Sequence, residues 1–339
     1  MSSNVTLKQI AEALGISAMT VSRVINNKKN VDEKTRKKVL EKAKSMGYTP
    51  NYLAKSLVSN KSFTIGVVVP EISHSFFPEV IRGIEEVAYQ ENYQLILTHS
   101  AEDAEREKAA IETLRSKRVD GIMISCSQFT SDLSYFEELR SSGLPVVFFD
   151  RCMDEAGFSC VGVDDKAAAK KITQHLIDHG YKKIAHLKGA QGLSIGRRRL
   201  EGFIEAMSEN QLEIADEWIV ESGLQEKGGF EAMMKLLDLP EDKRPRAVFA
   251  INDPAAFGAI EAIRERGLVI PDDIAIVGFS DDIRAELLPV PLTTVHQPAY
   301  EVGKKAAETL LSIINGENES VENIEVLTQM KIRSSCGVH

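Results

Sequence analysis

Apolar residues between positions 5 and 46 recur at helical spacing and predict three short helices. Thr6 can cap the first helix with Gln9 as its reciprocal partner, and Gly15 ends it. Ser17 can cap the second helix, and the third is predicted over Asp32–Met46 with its first aspartate as the cap. The predicted apolar stripes consist of Ile10, Ala11, Leu14, Val21, Val24, Ile25, Val39, Ala43 and Met46. These patterns predict a small helical bundle.

From Phe63 onward the pattern changes to short apolar runs that alternate with amphipathic stretches, which is typical of strand–helix units in a parallel sheet. The predicted strands are Ile65–Val69, Leu95–Thr98, Gly121–Ser125, Val146–Asp150, Cys160–Asp164, Ile184–Lys188, Ala247–Ile251 and Ile274–Gly278. The predicted helices are Phe77–Glu91, Ala104–Arg115, Lys166–His179, Arg199–Asn210, Gly228–Leu237 and Pro254–Glu265. This length exceeds one sheet of ordinary size, so we expect two α/β lobes.

Two adjacent helices joined by a tight turn can be ordinary packing or a helix–turn–helix that enters the DNA major groove. Local charge favours the second interpretation. Residues 1–60 carry 11 Lys and Arg against 4 Asp and Glu, a net charge of +7, whereas the remaining residues carry 30 against 46, a net charge of −16. A phosphate backbone interacts mainly with charges within a Debye length of about 10 Å, so the overall charge of −9 does not exclude DNA binding. The residues that point away from the apolar stripe are Ala18, Met19, Ser22 and Arg23.

The third helix carries six basic side chains on its other faces, which either contact phosphates or are simply solvated. Behind it, Pro50 suits the first turn of a short helix. A helix of two turns is marginally stable by itself. The six basic residues are Lys34, Arg36, Lys37, Lys38, Lys42 and Lys44.

Several classes of protein are disfavoured by the sequence. The longest apolar run stops at Pro70 and is too short to span a bilayer, and the polar segment MSSNVTLKQIAEA does not read as an export signal. Cys126, Cys152, Cys160 and Cys336 show no metal-ligand spacing. We therefore expect a cytoplasmic protein with reduced thiols, no membrane association and no bound metal.

The sequence also lacks the motifs of common catalytic sites. It contains no G-x-S-x-G, no P-loop and no H-E-x-x-H, and its seven histidines do not cluster. The segment Gly189-Ala-Gln-Gly192 precedes a helix but lacks the order of glycines found in dinucleotide sites. We therefore expect a binding protein without a cofactor rather than an enzyme.

Three segments resemble the headpiece of the lactose-repressor (LacI) family of bacterial transcription regulators: VTLKQIAEALGISAMTVSRVIN, the basic third helix and GYTPNYLAKSL. The resemblance implies a hinge helix over residues 50–58 that folds only on operator DNA, with Leu57 wedged into a minor-groove step. It implies DNA contacts by Thr6, Ser17, Ala18, Met19, Thr20, Ser22, Arg23, Asn26, Tyr48, Asn51, Ala54, Lys55 and Leu57. Ala18 and Met19 are apolar where other members carry hydrogen-bonding side chains, so the operator sequence does not follow from the resemblance.

The rest of the chain resembles the two-lobe, periplasmic-binding-protein-like core of the same family. The fold class expected is thus an all-α helix–turn–helix headpiece followed by a type I α/β core. The resemblance implies lobe crossings near Asp164, Thr293 and Leu327. The expected domains are a headpiece, 1–60, and a core, 62–339, divided into an N-lobe of about 62–162 plus 294–326 and a C-lobe of about 163–293 plus 327–339.

Ligands of such folds bind between the lobes, at the carboxyl ends of the strands. The residues expected there are Ser73, Phe76, Phe77, Asp150, Asp164, Ile195, Arg199, Asn252, Asp253, Ser280 and Asp281. Alternatives remain open: the two phenylalanines can be core residues, Asp150 can pair with Arg151, and Asp164 can cap a helix. The resemblance implies that Arg199 binds a ligand oxygen or carboxylate, whereas Ser280 replaces an aspartate common in sugar and purine binders.

The resulting hypothesis is a ligand-responsive, sequence-specific transcription regulator, a repressor, that binds a pseudo-palindromic operator in double-stranded DNA as a homodimer. Its effector is expected to be a sugar, a sugar derivative or a nucleobase, with a sugar-like molecule favoured. The alternative hypothesis is a cytoplasmic solute-binding protein without a role in gene regulation. The sequence leaves open the effector, the target genes and whether the effector induces or co-represses.

Overall fold

The computed structural model describes residues 5–25, 31–48, 61–153, 156–190, 192–318 and 320–337. The chain divides into two compact units, Met1–Ser62 and Phe63–His339. We call the first unit the headpiece and the second the core. The predicted hinge helix, 50–58, lies outside the described residues, as do the expected DNA contacts Asn26, Asn51, Ala54, Lys55 and Leu57.

The headpiece contains the three helices that the apolar pattern predicts, α1 (Leu7–Leu14), α2 (Ala18–Ile25) and α3 (Glu33–Ser45). Thr6 and Gln9 form a reciprocal capping box, and Gly15 ends α1 in the left-handed conformation that glycine tolerates best. The hydroxyl of Ser17 accepts from the amide of Thr20 at 3.0 Å. The buried core of the headpiece consists of Ile10, Ala11, Val21, Val24, Val39 and Ala43.

The N-lobe of the core is built on a six-stranded parallel sheet of order β11-β5-β4-β3-β1-β2. Its strands are β1 (Thr64–Val69), β2 (Gln94–His99), β3 (Gly121–Ile124), β4 (Val146–Phe149), β5 (Ser159–Gly162) and β11 (Asn323–Glu325). Its helices are α4 (Phe76–Gln90), α5 (Ala104–Ser116), α6 (Leu133–Ser141) and α11 (Ala299–Ile314). The sequence pattern predicts neither α6 nor α11.

The C-lobe is built on a four-stranded parallel sheet of order β7-β6-β8-β9. Its strands are β6 (Ile184–Lys188), β7 (Ile219–Glu221), β8 (Ala247–Ala250) and β9 (Ala275–Val277). Its helices are α7 (Asp165–Asp178), α8 (Ser194–Glu209), α9 (Glu226–Leu237) and α10 (Asp253–Glu265). The α8 helix begins five residues before the predicted start at Arg199, which places both Ile195 and Arg199 on it.

A small antiparallel pair joins the two lobes. It consists of β10 (Thr294–His296) and β12 (Gln329–Lys331), and Val295 and Met330 pack with the C-lobe core. Between these two strands the chain passes through α11 and β11 of the N-lobe. Each lobe is therefore assembled from segments that are distant in sequence.

Glycines allow the helix pairs of the core to pack closely. A Cβ atom on Gly83 of α4 would overlap the carbonyl oxygen of Tyr300 in α11, and one on Gly303 would overlap the carbonyl oxygen of Val80. The same relation links α9 and α10, where a Cβ on Gly258 would overlap the carbonyl oxygen of Glu226. Backbone thus meets backbone across these contacts.

The expectation of reduced thiols throughout is wrong for one pair of cysteines. Cys152 and Cys160 form a disulfide, because Cys152 follows β4 and Cys160 lies on the neighbouring strand β5 with a Cα–Cα distance of 6.1 Å. Cys126 and Cys336 are free and buried. Over the described residues, we find no helix with the length and apolar character needed to cross a bilayer.

Candidate DNA-recognition surface and ligand cleft

The outer face of α2 presents an apolar tip. Met19 is 66% exposed although Val21, two residues later in the same helix, is buried, and Ala18 and Arg23 are exposed as well. An exposed methionine on a helix this short offers contact to a thymine methyl group or to groove shape rather than hydrogen bonds to base edges. The Ser17 and Thr20 hydroxyls lie 2.9 Å apart, so both also stabilise the start of the helix.

The third helix of the headpiece also carries exposed basic side chains. On α3, Lys34, Lys37 and Lys38 are exposed, whereas Arg36 is half-buried and lies 4.0 Å from Glu33. Tyr48 packs against the headpiece core, and its partial burial raises the pKa of its hydroxyl. Exposed positive charges of this kind can contact a phosphate backbone.

A cleft separates the lobes of the core at the carboxyl ends of their strands. It encloses a cavity of about 50 Å³. Ligand pockets usually measure about 300–1,000 Å³, so a ligand of ordinary size requires the lobes to move apart. Seven of the expected ligand residues line the cavity: Phe76, Phe77, Asp150, Ile195, Arg199, Asn252 and Ser280.

Arg199 lies at the base of the cleft and is only 1% exposed. Its Nε and Nη2 atoms approach Asp165 Oδ1 at 2.8 and 2.7 Å, and its Nη1 donates to the carbonyl oxygen of Ile251 at 2.6 Å. The guanidinium also stacks 3.6 Å above the ring of Phe279. Burial raises the pKa of Asp165, and the charge of Arg199 opposes that shift. Arg199 therefore links α8 to the start of α7 and to the residue after β8, and has only part of its donor set left for a ligand.

Asp150 supplies a buried carboxylate on the opposite wall. Burial raises its pKa to about 6, while Arg151 and Arg199 lower it. Its Oδ1 accepts from Gln297 Nε2 at 3.3 Å, and its Oδ2 lies 3.8 Å from Arg151 Nε. Arg151 makes its closer ion pair with Glu102, at 2.8 Å. Asp150 is thus the less neutralised partner and is available to hydrogen-bond donors in the cleft.

The backbone on both walls of the cleft is held in an unusual conformation. Asp150 has φ 58°, Ser280 φ 118° and Asp281 φ 60°. Such positive φ values in residues other than glycine cost about 1–3 kcal/mol each and are common at binding sites. The surrounding contacts must therefore stabilise these two turns.

Polar contacts close the mouth of the cleft between the lobes. Ser75 donates its hydroxyl to Asp282 Oδ2 at 3.0 Å, and His74 Nε2 lies 2.9 Å from Gln225 Oε1. Arg284 donates to Asp282 Oδ1 at 3.0 Å; although burial raises the pKa of Asp282, these hydrogen bonds outweigh it and lower the pKa overall. We call Ser75, His74, Gln225 and Asp282 the mouth contacts.

Four expected ligand residues lie outside the cavity. Ser73 is exposed and its amide donates to Glu71, while Asp164 caps α7 by accepting from the amide of Ala167 at 2.9 Å. Ser280 stands where sugar and purine binders commonly carry an aspartate. Asp281 does not take over that role, because it pairs with Arg333 at 2.8 Å.

Asp253 is the fourth of these and is fully buried. It accepts from the Thr294 hydroxyl at 2.6 Å and from the amide of Asp282 at 2.7 Å, and burial raises its pKa to about 7. Its role is to tie the start of α10 to β10 and to the loop behind Ser280. Asn252 beside it caps α10, donates to the carbonyl oxygen of Leu224 and still lines the cavity.

Sequence reasoning missed half of the cavity wall. The sequence indicates Arg151 only as an ion-pair partner of Asp150, and seven other lining residues are not among the expected ligand residues. Most of them lie in loops after strands, where no periodic signal exists. These seven are Glu71, His74, Leu224, Gln225, Pro254, Asp282 and Gln297. Within the described residues, no group of three or more His, Cys, Asp or Glu side chains is arranged to hold a metal ion.

Two family models match the chain. The model described as "Bacterial regulatory proteins, lacI family" matches residues 6–51. The model described as "Periplasmic binding proteins and sugar binding domain of LacI family" matches residues 62–334. Together they span the headpiece helices and nearly all of the core.

Characterised relatives are similar over almost the whole chain. Catabolite control protein A of Priestia megaterium is 35% identical over 333 residues, which cover 98% of this chain and 99% of that protein. The HTH-type transcriptional repressor PurR of Pasteurella multocida is 36% identical over 331 residues, which cover 97% of this chain and 98% of that protein.

Solved structures agree with the fold. The lac repressor dimer bound to operator and the anti-inducer ONPF has a TM-score of 0.87 at 28% identity, covering 98% of this chain and 99% of that chain. The transcriptional regulator CelR in complex with cellobiose has a TM-score of 0.75 at 28% identity, covering 98% of this chain and 100% of that chain. The predicted fold class, a helix–turn–helix headpiece and a periplasmic-binding-protein-like core, is confirmed.

Proposed function

The chain belongs to the LacI family of bacterial regulatory proteins, and from that premise we propose that it represses transcription as a homodimer whose grip on a pseudo-palindromic operator is set by a small molecule in the cleft. It is a DNA-binding transcription regulator and not an enzyme. A cytoplasmic location, nucleoid association and the dimeric state are part of the proposal. Two-fold symmetry of the protein would be mirrored in the operator.

The observation that carries the proposal is the joint presence of an exposed recognition face and a polar cleft in one chain. Met19 at 66% exposure and Arg23 lie on a headpiece with a net charge of +7. The core carries a cleft with a buried carboxylate, Asp150, that no structural ion pair fully neutralises. A solute-binding protein without a regulatory role would have no use for the headpiece.

We infer further that the effector is a neutral, hydroxyl-rich molecule such as a free sugar. The two arginines of the cleft are already paired, Arg151 with Glu102 and Arg199 with Asp165. Of the other carboxylates that line the cavity, Asp282 pairs with Arg284 at 3.0 Å, which leaves Glu71 and Asp150 as the less neutralised ones. This excess of negative charge disfavours a phosphate or carboxylate group on the ligand, whereas hydroxyl groups can donate to the carboxylates and the ring of Phe76 can cover an apolar sugar face.

Footprinting tests the proposal. DNA from upstream of the chain's own gene is incubated with the protein alone and with neutral sugars, the matching sugar phosphates and nucleobases. We expect a two-fold symmetric protected site whose affinity changes about 5- to 150-fold with one neutral sugar. The absence of any sequence-specific protection, with binding that salt weakens equally for all DNA, would contradict a specific regulator. A response to a sugar phosphate alone would contradict the neutral effector.

We propose that Leu57 wedges into a minor-groove step, and Leu57→Ala tests that wedge. Specific operator affinity is expected to fall by about 10- to 100-fold, because the kinked duplex loses its apolar insert, while affinity for random DNA changes by less than about twofold. Leu40→Ala is a matched control, since Leu40 is a leucine of α3 that is 48% exposed. Equal losses on specific and random DNA would contradict the wedge.

Effector affinity is expected to depend on pH through Asp150, whose pKa is about 6 because of its burial. Ligand hydroxyls donate to the carboxylate form, so affinity for the sugar identified by footprinting should be full near pH 8 and about tenfold weaker near pH 5. Calorimetric titration between these values measures the profile.

Variants assign the pH profile to one group. Asp150→Asn is expected to flatten it, whereas Asp216→Asn, at an exposed position, leaves it unchanged. His74→Gln removes the imidazole that also lines the cavity and is expected to keep the step near pH 6. A step that survives in Asp150→Asn would remove Asp150 from ligand binding.

A further inference from the structure

A second concave surface lies at the opposite edge of the C-lobe sheet from the cleft. It has a volume of about 530 Å³ and opens where the chain enters the parallel strands β6 and β8. Four cationic side chains line it, Lys182 and Lys183 before β6 and Arg244 and Arg246 before β8, against one carboxylate, Glu241. We call this surface the basic groove.

The cations of the basic groove are not neutralised by ion pairs. None of the four has a carboxylate oxygen of a described residue within 4.0 Å, whereas their neighbour Lys243 pairs with Glu217 at 3.6 Å. Three of them donate to backbone carbonyl oxygens instead: Lys183 to Asp242, Arg244 to Leu239 at 3.3 Å and Arg246 to Asp272 at 2.8 Å. These contacts hold the side chains in place and leave their charges uncompensated.

Arg244 provides a second, independent indication. Its Nε atom is buried and has no hydrogen-bond partner among the described residues. Native proteins seldom leave a buried N–H of a charged group without an acceptor. An anion bound beside this guanidinium would supply the negative charge that balances it.

We propose that the basic groove binds a small soluble anion carrying two or more phosphate groups. Guanidinium groups match phosphate oxygens with paired donors, and four positive charges suit several negative ones. Duplex DNA is a poorer fit, because residues 61–339 carry a net charge of −16 and a long duplex would meet the surrounding carboxylates. This ligand would be separate from the effector in the cleft.

Calorimetric titration of the full chain with inorganic pyrophosphate tests the proposal. We expect saturable binding at one site per chain. The double variant Lys183→Ala/Arg246→Ala is expected to weaken it at least about tenfold, because two of the four charges are lost. The matched control Lys171→Ala/Lys235→Ala likewise removes two positive charges of the C-lobe, here from exposed lysines outside the basic groove, and is expected to retain the wild-type affinity.

Further measurements separate binding from folding. The charge-conserving variant Lys183→Arg/Arg246→Lys is expected to keep pyrophosphate affinity within about threefold, and thermal unfolding without pyrophosphate shows whether the alanine variant is intact. The proposal is overturned if the wild type shows no saturation up to roughly 10 mM pyrophosphate, if both double-alanine variants weaken binding equally, or if a random duplex competes fully. None of these outcomes bears on operator binding or on the cleft.

Discussion

Replacing Arg199 by alanine is expected to lower the free energy of unfolding by about 3–5 kcal/mol, because the substitution leaves Asp165 as a buried and unpaired charge. The pair is almost completely enclosed, with Arg199 1% and Asp165 2% exposed. The lost guanidinium also removes the donor to the Ile251 carbonyl oxygen and the cover over Phe279. Urea unfolding followed by the fluorescence of Trp218, the one tryptophan of the chain and a C-lobe residue, measures the effect.

The pH dependence of that loss has a definite sign. Burial raises the pKa of Asp165 in the folded protein above its ordinary value, and removing Arg199 raises it further. The neutral form then dominates in the folded state at low pH, so Arg199→Ala should be less destabilised at pH 5 than at pH 8. Arg199→Ala/Asp165→Asn is expected to recover at least about 1 kcal/mol, because the unpaired charge is gone. A double variant as unstable as Arg199→Ala at pH 8 would contradict this account.

Arg199 lines the ligand cleft in addition to stabilising the fold. Loss of an effector response in Arg199→Ala does not by itself identify a ligand contact, since the same change loosens the wall that carries Ile195 and Asn252. Effector affinity is therefore best compared at temperatures at which the unfolding curve shows that the variant is fully folded. A response that disappears under those conditions supports a direct role of Arg199.

Substituting Gly83 by alanine is expected to destabilise the N-lobe by roughly 3 kcal/mol, because a single methyl group would force α4 and α11 apart. The contact is backbone against backbone, so no side chain can rotate away to make room. The nearest atoms belong to Tyr300 and Lys304 of α11. Circular dichroism during urea unfolding measures the loss.

Gly192→Ala is the matched control for this prediction. Nothing lies within 4 Å of the position that its Cβ would take, and its φ lies outside the positive range. It is expected to change stability by less than about 0.5 kcal/mol. Equal stability of Gly83→Ala and the wild type would mean that the two helices can separate without cost.

The apolar pattern was sufficient to locate eight strands, each of which lies within two residues of its predicted bounds. It was insufficient for β11, whose residues are mostly exposed at the edge of the sheet and so carry no apolar run. The α11 helix was missed although Val302, Leu310 and Leu311 lie on its buried face and give an apolar pattern at helical spacing. Short edge strands require knowledge of the neighbouring strand.

The cleft shows a similar division. Polar residues directly after buried strands, such as Asp150 and Asn252, were predicted because parallel strands bring their carboxyl ends together. The same rule selected Asp253, but its carboxylate turns away from the cavity toward Thr294 and the amide of Asp282. The sequence pattern specifies that Asp253 follows a strand. The orientation of its side chain depends on Asp282 and Thr294, which lie 29 and 41 residues further along the chain. The Cys152–Cys160 disulfide escaped prediction for the same reason, since strand adjacency and not spacing brings the two sulfurs together.

Because each lobe contains segments that are distant in sequence, the N-lobe is completed only late in synthesis. The N-lobe sheet is incomplete until β11 has been made, and its helix α4 lacks the partner helix α11 until Ile314 has left the ribosome. At 5–20 residues per second, the roughly 140 residues between β5 and α11 take about 7–30 s to translate. Throughout that interval the side of α4 around Gly83 lacks the α11 helix that covers it in the folded protein. The incomplete N-lobe therefore exposes apolar surface during synthesis, whereas all helices of the headpiece are made within the first 62 residues.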